Sequence, residues 1–216
     1  MIEFVFMLTR DDVTVGNAAS AFRSVTETGL RYVGFKDIGP PPAVLRDVTD
    51  AAHEAGLEVM LEVVSVTREE ELRSLRAARE IGVDWVLGGT HPHDGVEILD
   101  GVRYCPFAGT VEGHPSVLTG WSEEIAAHAA ELAALPGVHG VDLLAYRHAT
   151  EDPIALTRAV AAECLVIAAG SVRSLEQIAA LEAAGAWGFT IGSAIFEGVL
   201  PGGPSVPAQI EAVLAA

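Results

Sequence analysis

The sequence predicts a single (β/α)8 barrel, or TIM barrel, and three observations support this prediction. Short runs rich in β-branched and aromatic residues alternate eight times with amphipathic stretches, which is the rhythm of parallel strands joined by crossover helices. Glycine follows several of the predicted helices, at Gly29, Gly56, Gly82, Gly137 and Gly185. The chain of 216 residues fits one compact domain spanning 1–216, since about 200 residues suffice for this fold when its loops are tight.

The predicted elements follow one another without an intervening linker. The strands are predicted at 3–8, 31–36, 58–64, 84–87, 103–107, 140–146, 165–168 and 188–191. The helices are predicted at 15–28, 42–55, 68–81, 122–135, 153–163, 175–184 and 207–214. The stretch 91–101 is too short for a full crossover helix, so we expect one turn or irregular chain in a shortened fourth crossover. A doubly wound open sheet is disfavoured, because no glycine-rich loop follows the first strand.

Composition restricts the class of partner. The net charge of −17 argues against nucleic acid, which binds basic surfaces. No apolar run is long enough to cross a membrane, and the N-terminus lacks the features of a signal peptide, so we expect a cytoplasmic protein. The two cysteines, Cys105 and Cys164, suggest neither a disulfide framework nor a zinc site. We expect no metal and no cofactor, and a homo-oligomer is compatible with a barrel of this size.

Alternation along the predicted strands places three charged residues inside the barrel or at its mouth. When the apolar residues of each strand face the helices, Lys36, Glu62 and Asp142 point inward. Barrel interiors are normally filled by branched apolar side chains, and the active sites of this fold lie at the C-terminal strand ends. Since buried charges are costly unless they are paired, these three residues are the predicted catalytic group.

Lys36 is the only lysine of the chain, which otherwise uses arginine for positive charge. Lysine can lose its proton or form a Schiff base when it is desolvated, and arginine does neither. A functional role for Lys36 is therefore favoured, with Glu62 or Asp142 moving protons. The alternative is a buried ion pair that only stabilises the core.

The segment from Val166 to Phe196 carries the strongest motif. Glycines end two successive predicted strands, and the backbone amides after them can converge on one anion. The segment 193–197 can form a short extra helix at the same place. The predicted phosphate-binding residues are Gly170, Ser171, Gly192, Ser193 and Ala194.

This segment, about the last quarter of the chain, resembles the ribulose-phosphate-binding barrel superfamily, which includes phosphoribosyl isomerases and N-acetylmannosamine-6-phosphate epimerase. The resemblance implies a phosphorylated sugar or heterocycle as ligand. The epimerase has an acidic residue near the position of Ala169, and the isomerases have Asp or Cys on the first strand, where this chain has Met7 and Thr9. Neither activity is therefore assigned. Lys36 also resembles the Schiff-base lysine of the furan-phosphate synthases of methanofuran synthesis, whose additional lysines have no counterpart here.

Polar residues near the other predicted strand ends complete the expected site. The predicted substrate-binding residues are Thr9, Arg10, Thr90, His91, His114, Tyr146, Arg147 and Thr190. Arg10 could bind a second anionic group, whereas Asp12 is expected to cap the first helix. The stretch 109–120 is either a lid or an ordinary polar loop.

Three functions are compatible with these residues. The first is an isomerase or epimerase that acts on a phosphorylated sugar-like molecule by lysine and carboxylate acid–base chemistry. The second is a class I aldolase or other lyase in which Lys36 forms a Schiff base. The third is a non-catalytic barrel that binds a phosphorylated metabolite or FMN.

Overall fold

Eight parallel strands form the centre of the computed structural model, which describes residues 2–65 and 67–216. The strands, numbered here β1 to β8, are Glu3–Met7, Tyr32–Lys36, Glu58–Val63, Trp85–Gly88, Arg103–Cys105, Val141–Leu143, Val166–Ala168 and Gly188–Ile191. Within this described part of the chain their order in the sheet is β6-β7-β8-β1-β2-β3-β4-β5. The order is that of consecutive strands around a circle.

The sheet closes between β5 and β6. The His139 amide donates to the Tyr104 carbonyl at 2.8 Å, and the Asp142 amide donates to the Pro106 carbonyl at 2.9 Å. Ala108 in turn donates to the Asp142 carbonyl at 3.1 Å. These bonds join the last free strand edges, so the predicted (β/α)8 barrel is confirmed.

Helices surround the barrel. In the described ranges they are α1 to α9, at Ala18–Arg23, Pro42–Glu54, Arg68–Ile81, Pro92–Ile98, Ser122–Ala133, Pro153–Ala161, Leu175–Ala184, Ser193–Phe196 and Val206–Leu214. The fourth crossover is short, as predicted, but it contains a regular helix instead of one turn or irregular chain. This helix, α4, has 7 residues and starts at Pro92. No helix in this part of the chain is long and apolar enough to span a bilayer.

Strand alternation separates two apolar layers. One layer packs between the strands and the helices, and it includes Phe6, Val33 and Leu61. The other fills the barrel interior and contains Val5, Met7, Tyr32, Met60, Trp85, Leu87, Cys105 and Ile167. The phase of β5, which the sequence leaves ambiguous, is thereby resolved: Cys105 points into the barrel and Tyr104 lies in the outer layer.

Aromatic side chains close the N-terminal end of the barrel, which we call the floor. Trp187 packs against Trp85 at 5.2 Å and against Tyr32 at 5.7 Å between ring centroids. Glu58 accepts hydrogen bonds from Trp85 Nε1 at 2.6 Å and from Arg103 at 2.5 Å.

The opposite, C-terminal end, which we call the mouth, carries the additions to the barrel. A hairpin of Thr9–Arg10 and Val13–Thr14 follows β1, and a two-stranded ribbon of Thr110–Glu112 and Val117–Thr119 follows β5. The sixth strand ends earlier than predicted, and Ala145–Arg147 forms a 3-10 turn. Tyr146 therefore leaves the strand and lies at the rim.

Candidate functional site

Lys36 and Glu62 lie side by side at the mouth. They are register partners on the adjacent strands β2 and β3, so both side chains point into the barrel at the same level. Their relative exposures are 4% and 3%, and Lys36 Nζ lies 3.2 Å from Glu62 Oε1. The sequence-predicted pair is therefore a buried ion pair at the strand ends where sites of this fold lie.

Asp12 completes this pair from above. Its Oδ1 accepts a hydrogen bond from Lys36 Nζ at 2.8 Å, and its two oxygens accept from Arg147 at 2.5 and 2.6 Å. The expectation that Asp12 caps the first helix is wrong, since α1 begins at Ala18 and the capping position is Asn17. Asp12 instead holds Arg147 and Lys36 together over the barrel axis.

A strained two-residue turn positions Asp12. Asp11 and Asp12 have φ values of 51° and 63°, and they join Arg10 to its partner Val13. Positive φ at both central residues is the geometry of a type I′ hairpin turn, which Asp tolerates better than most residues. The hairpin is fixed to β2 because Thr14 Oγ1 donates to the Lys36 carbonyl and accepts from the Lys36 amide.

The charges in this cluster balance. Burial opposes ionisation of Lys36, but the Glu62 and Asp12 carboxylates outweigh it and raise the pKa of the ammonium. Burial likewise disfavours the Asp12 carboxylate, yet hydrogen bonds from Arg147 and the charge of Lys36 bring its pKa well below the usual range. The cluster therefore pairs two cationic side chains with two acidic side chains.

Asp142 lies in the same interior without a partner. It is fully buried, and within the described residues neither carboxyl oxygen has a hydrogen-bond partner. Burial is the main cause that raises its pKa well above the usual range, and the Glu62 carboxylate adds to it. Lys36 and Arg147 act in the opposite direction but do not outweigh the burial, so the neutral form of Asp142 is favoured.

The predicted phosphate loops face this cluster. Gly170 and Ser171 follow β7 with φ values of 76° and 61°, and Gly192 follows β8. A Cβ at Gly170 would collide with the Arg147 side chain, and a Cβ at Gly192 would collide with Thr9. Glycine at these positions therefore lets two neighbouring segments approach the loops closely.

The cluster and the loops line one cavity of about 220 Å³, which we call the first cavity. Lys36, Glu62, Asp12 and Arg147 lie on one side of it. On the other side are the five predicted phosphate-binding residues, namely Gly170, Ser171, Gly192, Ser193 and Ala194. Thr9 and Thr190, two of the predicted substrate contacts, also line it, whereas Asp142 does not.

The remaining predicted contacts are spread around the mouth. Tyr146 lines a broader groove at the rim, and Thr90 lines a separate cavity. The His91 ring is held by Glu71 at 2.8 Å. Three predicted contacts line none of these cavities: His91, Arg10, which is exposed beside Asp11, and His114, which is exposed in the turn of the ribbon.

Three residues of the mouth were not predicted from the sequence. Asp12 is the first, although two consecutive aspartates after a strand are residues that a tight hairpin turn favours. Arg173 and Glu197 are the others, and both line the first cavity, 2.9 Å apart. Arg173 adds a cation beside the predicted phosphate loops.

Comparison with known proteins shows the fold. No model of a known protein family matches the chain, and no curated protein sequence matches it. Among solved structures it is similar to orotidine 5′-phosphate decarboxylase from Pyrococcus horikoshii OT3, at 16% identity over 99% of both chains, with a TM-score of 0.68.

Two further neighbours cover the whole chain. Phosphoribosylanthranilate isomerase from Thermotoga maritima is 14% identical over 100% of both chains, with a TM-score of 0.65. The tryptophan synthase A-subunit from Pyrococcus furiosus is 14% identical over 100% of this chain and 98% of its own, with a TM-score of 0.66. These neighbours share the barrel fold, and their names span several reactions.

Proposed function

We propose that this protein is an enzyme that isomerises or epimerises a small phosphorylated, sugar-like carbonyl compound. The observation that carries the proposal is the first cavity, which joins a buried lysine–carboxylate cluster to two glycine-ended loops. An ion cluster that served only the core would have no reason to open onto a cavity lined by these two loops. A cavity of about 220 Å³ suits a compound smaller than a drug-sized ligand.

The phosphate group would lie at the loops after β7 and β8. Backbone amides near Ser171 and Ser193 supply donors there, and the Arg173 guanidinium supplies a cation. Such local donors are needed, because the net charge of −17 repels an anion at long range. Anchoring at this point places the other end of the substrate over Lys36 and Glu62.

The acid–base chemistry follows from the charge states. The Glu62 carboxylate takes a proton from the carbon next to the substrate carbonyl, and the electron pair moves to the carbonyl oxygen. The Lys36 ammonium stabilises the oxyanion that develops, in a site from which water is largely excluded. For an isomer, the proton returns to the former carbonyl carbon, while the hydroxyl on the adjacent carbon passes its proton to the enediolate oxygen and becomes the new carbonyl. For an epimer, the original carbon regains a proton on its other face and the oxyanion becomes the carbonyl again. Asp142 is a second, protonated acid deeper in the barrel.

The raised pKa of Lys36 disfavours the alternative, a lyase reaction through a Schiff base. A Schiff base requires a neutral amine, whereas the carboxylates beside Lys36 hold it as an ammonium. We expect that borohydride, added with each carbonyl substrate that the enzyme turns over, leaves the protein mass unchanged. A covalent adduct on Lys36 would replace the isomerase proposal with the lyase.

Hydrogen exchange tests the proposal directly. The protein is incubated in D₂O with phosphorylated aldehydes and ketones of about three to five carbons, the size that the small cavity suits. Proton NMR then follows loss of the signal next to the carbonyl. We expect exchange with at least one compound, and a rate about 10²–10⁴-fold lower in Lys36→Met.

Arg31→Met is the matched control. Arg31 is exposed and paired with Glu3 on the floor, so its loss removes a cation without touching the first cavity. It should keep the wild-type exchange rate. Folded Lys36→Met protein that exchanges as fast as the wild type would contradict the proposal, as would absence of exchange with every compound.

A further inference from the structure

A second cavity, of about 280 Å³, lies on the opposite side of the mouth. It is lined at the ends of β3, β4 and β5 and by the ribbon, including Val64, Ser65, Thr90, Phe107, Glu112 and Ser116. Val64 is two residues beyond Glu62 on one extended segment, so the two Cα atoms are about 7 Å apart. The second cavity therefore begins beside the proposed catalytic carboxylate.

An open groove also connects the two cavities across the rim. It shares Arg147 and Ser171 with the first cavity and Ser116 with the second. A substrate whose phosphate is bound after β7 and β8 can therefore extend its other end towards the second cavity. The chemistry of that cavity then selects what this end is.

Two hydroxyl groups of the second cavity, those of Ser65 and Thr90, have their hydrogens committed elsewhere. Ser65 Oγ donates to Asp37 Oδ2 at 2.5 Å, and Thr90 Oγ1 donates to Glu71 Oε2 at 3.1 Å. Glu71 is fully buried and also accepts from the Thr90 amide at 2.9 Å, which fixes this arrangement. Ser65 and Thr90 can therefore offer only lone pairs to a ligand.

The charged side chain that lines the second cavity is also an acceptor, because it is a carboxylate. Glu112 lines it, and within the described chain no lysine or arginine does. Arg10, which the sequence suggested for a second anionic group, is exposed on the hairpin and lines neither cavity. A second anion would thus meet lone pairs and a carboxylate, with no cation to compensate.

We propose that the substrate carries one phosphate and, at its far end, a hydrogen-bond-donating group such as a hydroxyl or an amine, and that a second anionic group is rejected. This inference rests on the proposed function, since it takes the phosphate position from it. The first cavity supplies donors and cations, and the second supplies acceptors.

Simple phosphate monoesters test this inference. Calorimetry compares hexyl phosphate with its terminal hydroxyl, terminal amine and terminal carboxylate derivatives, and the butyl series covers a shorter span. We expect the hydroxyl and amine compounds to bind tighter than the alkyl phosphate, and the carboxylate compound to bind about tenfold weaker than the hydroxyl compound. Equal affinities, or tightest binding of the carboxylate, would overturn the inference.

Two charge-reversal variants, one in the second cavity and one outside it, form a matched pair. Glu112→Lys should reverse the preference and favour the carboxylate compound by about tenfold. Glu123→Lys, an exposed position on α5 that does not line the cavity, should leave the preference unchanged. An unchanged preference in Glu112→Lys would count against the far-end site.

Binding of the esters to Ser171→Asp separates this inference from the proposed function. Ser171→Asp places a carboxylate among the phosphate loops and should abolish binding of every ester, while Ser171→Asn should not. If no ester binds the wild type, the phosphate proposal itself fails. If hexyl phosphate binds but its far end has no influence, only the second-cavity inference fails.

Discussion

The two ends of the barrel treat charge in opposite ways. On the floor, Glu58 lies at the surface, pairs with Arg103 and accepts the Trp85 indole hydrogen bond, and aromatic rings fill the centre. At the mouth, Lys36 and Glu62 are buried, and deeper in the barrel the Asp142 carboxyl has no hydrogen-bond partner among the described residues and no spare countercharge. The same eight strands carry both arrangements.

This difference separates stability from function. Burying a group such as Asp142 is unfavourable, and the floor shows that this chain can close a barrel end without doing so. Conflicts between local stability and local chemistry are expected at functional sites. The mouth is therefore the end where we look for turnover, and the floor is the end where we look for folding stability.

The strongest test of this comparison uses two glutamates of one strand. Glu62→Gln at the mouth end of β3 should lower the exchange rate by about 10²–10⁴-fold, because it removes the proposed base. Glu58→Gln at the floor end should leave that rate unchanged. Deuterium exchange monitored by NMR measures both variants, and equal losses would remove the distinction between the two ends.

Substitutions in the floor should lower the free energy of unfolding and leave the exchange rate unchanged. Trp85→Ala removes a buried ring that packs on Trp187 and donates to Glu58, so we expect the free energy of unfolding to fall by about 3–5 kcal/mol. The exchange rate per folded molecule should stay at the wild-type level. Urea unfolding gives the first quantity, and a rate that falls with stability would contradict the separation.

Regular elements of the barrel were predictable because strand alternation and glycine helix ends are local signals. Lys36 and Glu62 were identified in this way, since their faces follow from the apolar neighbours on β2 and β3. The glycines of the proposed phosphate loops were also visible in the sequence. Their close approach to Arg147 and Thr9 was not, because it depends on segments distant in the chain.

The missed features all depend on loops and on partners from different elements. Asp12 looked like a helix cap, but its partners Lys36 and Arg147 come from β2 and from the turn after β6. Glu71 was not singled out from the sequence, yet it is buried and accepts hydrogen bonds from Thr90. Periodicity gives the face of a residue on its own element and does not give what packs against that face.

The pH dependence of stability tests the buried Asp142 carboxyl of the mouth half. The fold raises its pKa, so the folded state favours the protonated form, and stability falls as pH rises above the unfolded value of about 4. Asp142→Asn does not titrate and should be more stable than the wild type by about 1–3 kcal/mol at neutral to alkaline pH.

Urea unfolding across the pH range measures this gain. It should shrink towards zero near pH ~4, where the wild-type carboxyl is protonated in both states. If Asp142 also moves protons, the exchange rate falls in the variant whose stability rises. A loss of stability in Asp142→Asn that appears above pH ~4 and disappears at lower pH would mean that the wild-type carboxyl is ionised and stabilised in the fold.

The smallest effect concerns the strained turn above the cluster. Asp11 and Asp12 both have positive φ, which glycine adopts without a Cβ penalty. Asp11→Gly should therefore change the free energy of unfolding by no more than about 1 kcal/mol, in the stabilising direction, because relief of strain exceeds the added entropy of the unfolded chain. The Asp11 side chain is 82% exposed, and its Arg10 contact at 3.8 Å adds little.

Asp12→Gly relieves the same kind of strain but removes the carboxylate that Lys36 and Arg147 share. Two buried or half-buried cations then face only Glu62, so this variant should be destabilised although its backbone is relaxed. Urea unfolding of the two variants side by side separates backbone strain from charge pairing. If Asp12→Gly were as stable as Asp11→Gly, the Asp12 carboxylate would not stabilise the buried cations. The proposed contrast in charge between the mouth and the floor would then be wrong.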